Sequence, residues 1–188
     1  MRIVIFFSSA LFILGLVFCQ FNPSFAEDNS TSNDNLSVPA ACKPHLFEIN
    51  KSDNKNVLYY DAIIRNGEFD TANPVDIYWI MNAEKGQREG LTLLESPQFG
   101  IITKEVKKGK EYIINVKNDE LSEKDIRVFF GENNCPEATA TLSGKDARLD
   151  NIYINLTRGI MLPTVHWLEL TGYALTDGEK VTERITPK

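Results

Sequence analysis

Histidine is almost missing from the chain: only His45 and His166 occur, 121 positions apart. Cysteine is scarce too, with three in 188 residues and no Cys-x-x-Cys pair. Without a His-x-x-x-His pair or a calcium loop of alternating acids, the sequence offers no dedicated metal site. Gly-x-Gly-x-x-Gly and Walker phosphate loops are absent, as is a Gly-x-Ser-x-Gly nucleophile elbow. No cofactor is therefore expected. Positive charge is in deficit, 20 Lys and Arg against 26 Asp and Glu for a net −6, which argues against a nucleic-acid partner. Lacking too is any sustained apolar stripe of helical period.

One long apolar run does exist. It extends from Ile3 to Phe18 behind Arg2 and leads to Ser24-Phe25-Ala26, small residues at the two positions that a signal peptidase reads. Residues 1–26 are expected to be a secretory signal, cleaved between Ala26 and Glu27. The run is short of the ~20 residues that cross a bilayer, so no transmembrane span is expected in the mature chain. Leu16-Val17-Phe18-Cys19 also faintly matches a lipobox with Cys19 as the acylated residue, but bulky Phe18 stands where that box wants a small side chain. Cleavage after Ala26 removes Arg2 alone among charged residues and takes the net charge from −6 to −7. The expected location is exported, periplasmic or extracellular.

Residues 27–41, EDNSTSNDNLSVPAA, are small and polar with no core-forming pattern and read as a flexible leader. Residues 42–188 then form a single domain. Removing the signal leaves Cys42 and Cys135, which in an oxidising compartment are expected to pair. Closing a loop of that length corresponds to about 4 to 5 kcal/mol in the chain-entropy model.

Within the domain, short bursts rich in Ile, Val, Tyr, Phe and Thr alternate with Gly, Asn, Asp and Pro. Strands are expected at 46–49, 57–64, 75–81, 91–94, 101–106, 112–116, 126–130, 139–142, 152–157, 165–175 and 181–185. Ile152, Ile154 and Leu156 alternate with Tyr153, Asn155 and Thr157, the period of a half-buried sheet. Lys107-Lys108-Gly109-Lys110 and Thr176-Asp177-Gly178-Glu179 read as hairpin turns. The one helix candidate is Glu120 to Lys124. The fold class is all-β, a single antiparallel β-sandwich or flattened barrel of about ten strands; pattern alone leaves the two closures open.

The run from His45 to Val57, with Tyr60-Asp61, Asn73-Pro74-Val75, Tyr78-Trp79, Glu95, Phe99-Gly100, Leu170-Thr171-Gly172 and Val181-Thr182-Glu183-Arg184-Ile185, resembles the bacterial family of domain of unknown function 4833. The resemblance covers roughly His45 to Pro187. It implies export and a shared β fold, and brings no catalytic residues with it.

Chemistry in the side chains is sparse. Ser52-Asp53-Asn54-Lys55 spells Ser-x-x-Lys and Ser-Asp-Asn, as in penicillin-recognising enzymes, but the motifs overlap in a turn and the Lys-Thr-Gly element is missing. Glu48, Glu95 and Glu169 lie in or beside strands and are the acids to watch for paired-carboxylate hydrolysis. His166 shares strand parity with Leu168 and Leu170, which places it at a core edge, whereas His45 before the first strand reads as exposed. Alternation puts Tyr78 and Trp79 on opposite sheet faces. Lys104, Lys107, Lys108 and Lys110 read as solvating a hairpin edge. Sequons at Asn29, Asn35, Asn50 and Asn155 matter only in a eukaryotic secretory route.

The resulting expectation is an exported, non-catalytic binding protein for a small apolar molecule, a glycan or an envelope partner. Its site is placed at the turn around Lys51, Asn54 and Asn56 with Tyr78 and Glu95. An envelope hydrolase using strand-borne carboxylates and a structural surface protein are the rival readings. A hydrolase requires two acids facing each other in a concave pocket; a structural protein requires an exposed apolar patch or an open strand edge.

Overall fold

The computed structural model describes residues 42–159 and 163–187, all within one compact unit, 34–188. The expected signal at 1–26, its Ala26–Glu27 junction, Cys19 and the leader at 27–41 lie outside the described residues.

Thirteen strands follow in chain order: β1 (His45–Lys51), β2 (Val57–Ala62), β3 (Ile64–Arg65), β4 (Glu68–Phe69), β5 (Val75–Met81), β6 (Gln87–Gly90), β7 (Ile101–Lys107), β8 (Glu111–Val116), β9 (Ile126–Phe130), β10 (Pro136–Leu142), β11 (Lys145–Thr157), β12 (Thr164–Ala174) and β13 (Lys180–Ile185). One helical turn, α1 (Ser96–Phe99), precedes β7. The fold is all-β, as the punctuated β-branched and aromatic runs require. β3 and β4 form a small separate ribbon whose turn, Asn66-Gly67, has positive φ at both residues as a two-residue hairpin demands.

The other eleven strands make one curled sheet, a half-barrel, in the order β6-β5-β2-β1-β11-β10-β9-β8-β7, with β12 and β13 attached through β11. β11 is the branch point. Ile152 pairs with both Ile49 and Leu170, and Ala147 with both Ala140 and Ala174. β12 therefore takes one edge of β11, while β1 and β10 share the other. The β1–β11 pairing is parallel, the single departure from the expected antiparallel sheet.

Alternation sets the core. Leu58, Tyr60 and Ala62 of β2, Tyr112, Ile114 and Val116 of β8, and Ile152 and Ile154 of β11 are buried, and their neighbours in sequence are wetter. Phe47 and Tyr60 stack at 4.4 Å, and the Tyr60 hydroxyl, wholly buried, donates to the Phe99 carbonyl at 2.7 Å. That bond ties α1 to the sheet interior. The hairpins at 107–110 and 176–179 form as expected, between β7 and β8 and between β12 and β13.

Three expectations are corrected. Leu91 to Leu94 is not a strand; the strand is the polar, wholly exposed Gln87–Gly90, recruited by pairing with β5. Glu120 to Lys124 is not a helix, residues 119–123 forming turns, and the α-helical turn falls at Ser96–Phe99, just after a turn that Thr92 and Glu95 close with reciprocal bonds. His166 does not stand at a core edge. A register shift falls where Asn155 pairs with Trp167 and Leu156 with Val165, so His166 is the extra residue and is exposed, against the Thr157 hydroxyl at 2.8 Å.

Cys42 and Cys135 are joined, Cα to Cα 5.3 Å, linking the entry to β1 with the loop between β9 and β10. A disulfide fits an oxidising compartment. Among the described residues no helix is long and apolar enough to cross a membrane.

Candidate functional site

Strand parity puts polar groups inside one end of the half-barrel. Phe47 and Ile49 of β1 point inward, and two residues on Lys51 does the same; Asn56 shares the parity of Leu58 and Tyr60, as Met81 shares that of Trp79. These ends meet at a recess of about 180 Å³ lined by Lys51, Asn54, Asn56, Trp79, Met81, Glu89, Gly90, Thr92 and Glu95.

Lys51 lies across its floor. Its Nζ is 4.4 Å from the centre of the Trp79 ring and 5.4 Å from that of Phe99, while those two rings meet edge to face at 5.6 Å. Burial lowers the lysine pKa below its ordinary 10.5, against the opposing pull of Asp53 and Glu95 and with help from Arg158.

The turn after Lys51 is held from several directions. The Ser52 N–H donates to the Ile154 carbonyl, its hydroxyl donates to the Leu156 carbonyl and accepts from the Leu156 N–H, and Arg158 reaches Asp53 at 2.9 Å. Asn54 donates to Asp53 and accepts the Asn56 N–H, and Asn82 donates to the Lys55 carbonyl. Opposite the turn, one Glu95 oxygen accepts from both the N–H and the hydroxyl of Thr92, and Thr92 Oγ1 accepts the Glu95 N–H in return.

Two buried polar atoms of the lining have no partner: Asn56 Oδ1, an acceptor, and Trp79 Nε1, a donor. Trp79 is only 4% exposed. Buried polar groups are nearly always hydrogen-bonded, so these two atoms, shielded from the open space of the recess, are exceptions within its walls.

Lys51, Asn54, Asn56 and Glu95 are thus brought together, and Tyr78 is not. Tyr78 faces the opposite side of the sheet, parallel to Tyr59 at 5.7 Å, with the Arg88 guanidinium 3.5 Å over its ring. Its hydroxyl donates to Asp61 at 2.6 Å; burial, then that carboxylate, pushes its pKa up to about 12. Trp79 is the ring at the recess. It shares parity with Val75 and Ile77, as Lys51 does with Phe47 and Ile49, and the curl of the sheet makes that face the inside. Glu89 carried no signal in the sequence, because β6 has no apolar pattern, and Thr92 fell within the strand expected at 91–94.

The remaining acids are scattered. Glu48 accepts from Asn50 and Asn151, and Glu169 accepts from Arg184. Two carboxylates do line the recess, but Glu89 is exposed and Glu95 is engaged with Thr92. His45 is not free, sitting 3.1 Å from Asp61 and 5.2 Å from the Tyr59 ring.

The model of the family described as domain of unknown function (DUF4833) matches residues 47–184, well over half of the chain. The chain belongs to that family. The matched span contains Lys51, Asn56, Trp79, Glu89 and Glu95, so the whole recess lies inside the family domain. No curated protein and no solved structure matches the chain.

Proposed function

We propose that this DUF4833 protein is an exported, non-catalytic binding protein, and that the recess at the end of β1, β2 and β5 holds a small polar group of an envelope constituent. The observation that carries the reading is the convergence of Lys51, Asn54, Asn56, Glu89 and Glu95 on one recess, with the Lys51 ammonium 4.4 Å over the Trp79 ring. Export is supported by the apolar run at 3–18 with Ser24-Phe25-Ala26 and by the Cys42–Cys135 bridge.

Of the ligand classes the sequence suggests, the recess suits a polar one. Its lining offers an ammonium, two carboxylates, two amides and a hydroxyl against Trp79 and Met81, and its volume is that of one small unit. The tethered turn keeps these groups in place before a ligand arrives, which limits the entropic cost of binding.

Two tryptophans make the test simple, since Trp167→Phe leaves one indole N–H signal, that of Trp79. Free hexoses, amino sugars and amino acids titrated into the full chain are expected to include at least one that moves the Trp79 signal, and Lys51→Met is expected to abolish that movement. If none of them, and no ligand retained in native mass spectrometry of protein from its own host, engages Trp79, the reading fails.

A further inference from the structure

Leu93 and Leu94 are the most exposed large apolar residues in the described structure, at 93% and 87%. They lie between Thr92 and Glu95, both of which line the recess, and so stand at its rim. Their exposure is held in place: the reciprocal Thr92–Glu95 bonds close the loop, and the Glu95 carbonyl accepts the Gln98 and Phe99 N–H groups of α1. A firmly built loop that holds two leucines in water, beside a polar recess, has the form of a site for an amphiphile.

The charges inside specify the polar end. The Lys51 ammonium supplies donors, and the Glu89 and Glu95 carboxylates supply acceptors. A phosphate monoanion answers the donors and a primary ammonium answers the acceptors. A quaternary ammonium has no N–H for these carboxylates. The chain as a whole carries net charge −6, which disfavours approach to an anionic bilayer but not to a zwitterionic one.

Resting on the reading of the recess as a binding site, we infer that its ligand is the zwitterionic phosphoethanolamine head group of a lipid, taken at a membrane surface with Leu93 and Leu94 entering the acyl boundary. The leucines supply apolar contact and the recess supplies head-group choice.

The test uses the full chain carrying Trp167→Phe, with free phosphoethanolamine as one probe. The second probe is a pair of vesicles, phosphatidylcholine with and without phosphatidylethanolamine. Phosphoethanolamine is expected to move the Trp79 indole signal, and vesicles containing phosphatidylethanolamine are expected to carry the protein in flotation. The double variant Leu93→Ser with Leu94→Ser should lower vesicle binding at least about tenfold and leave the phosphoethanolamine response intact, since two buried leucines are each worth that much. Lys51→Met should weaken both. Both leucines are exposed, so the double variant keeps its fold, which an unchanged thermal midpoint verifies.

Vesicle capture that ignores phosphatidylethanolamine, or that survives loss of both leucines, overturns the inference. So does a hexose or amino acid that moves Trp79 when phosphoethanolamine does not, although the recess then stands as a binding site. If nothing moves Trp79, the underlying reading has failed and this inference falls with it.

Discussion

At the scale of single residues, the recess is recognisable because it is built against the stability of the sheet. Lys51 is the clearest case. Its neighbours in parity, Phe47 and Ile49, are fully buried, and burial, with help from Arg158, drives its pKa below 10.5. At pH 7 the protonated lysine carries that penalty. As pH rises through its lowered folded value towards 10.5, the folded state loses the proton first and the penalty is relieved. Lys51→Met is therefore expected not to lower the denaturation midpoint at pH 7, and its advantage over the wild type should shrink in alkali. A loss of more than about 2 kcal/mol in urea titration would make Lys51 a structural residue instead. Tyr60 behaves in the opposite way. Tyr60→Phe leaves the buried Phe99 carbonyl without its donor and is expected to cost about 1 to 3 kcal/mol, with the Trp79 indole signal shifting because Phe99 packs on that ring. Gly172 is fixed by close approach: a Cβ there would stand 2.4 Å from the Arg148 carbonyl oxygen, at the register shift between β11 and β12. Gly172→Ala is expected to lower the thermal midpoint, the backbone having to open at that point.

At the scale of elements, β13 and the turn between β10 and β11 are joined by one carboxylate. Glu183 accepts from Lys124 at 2.7 Å through one oxygen and from the Ser143 N–H at 2.7 Å through the other, while Lys124 also donates to the Thr141 carbonyl. Burial raises the Glu183 pKa, but these hydrogen bonds and the Lys124 charge outweigh it, so the carboxyl titrates below its usual 4.5. A carboxylate with a depressed folded pKa contributes stability that is fully present above the unfolded value and is lost as pH falls through the folded one. Glu183→Gln is expected to be less stable than wild type at pH 7, and the gap should narrow as pH falls below 4.5 through the lowered folded value. A gap in urea midpoints that stays constant throughout acid titration would contradict this. Element assignment in the sequence succeeded where β-branched and aromatic bursts were bounded by turn residues, as in Val75–Met81 and Ile126–Phe130, both recovered end to end. It failed at 87–94 because local composition and pairing disagreed. The polar segment Gln87–Gly90 gains its order from β5, whereas the apolar Leu91 to Leu94 has no strand to pair with and is turned outward by the Thr92–Glu95 bonds.

At the scale of the molecule, the half-barrel is closed by pairings far apart in sequence: β1 with β11, and the Cys42–Cys135 bridge across 93 positions. Such contacts are costly to form in loop entropy, and a covalent link placed there acts mainly on the unfolded chain. Replacing both cysteines with serine is expected to cost about 2 to 5 kcal/mol in denaturant titration. Wild-type protein under strong reductant should approach the variant, while the variant itself should be indifferent to reductant. An unchanged wild-type midpoint on reduction would show that the parallel β1–β11 seam holds without its staple.

The all-β class, most strand positions, both long hairpins, the cysteine pairing and the family were legible in the linear order of residues. Each depends on neighbours or on composition: alternation, turn chemistry, an isolated pair of thiols, short motifs. Tertiary structure alone decided that β11 is shared by three strands, that one pairing is parallel, and that Trp79 rather than Tyr78 joins Lys51, Asn54, Asn56 and Glu95. Alternation says that two adjacent side chains point to opposite faces of a sheet. Which face is the inside is decided only when the sheet curls and distant strand ends meet around the same space.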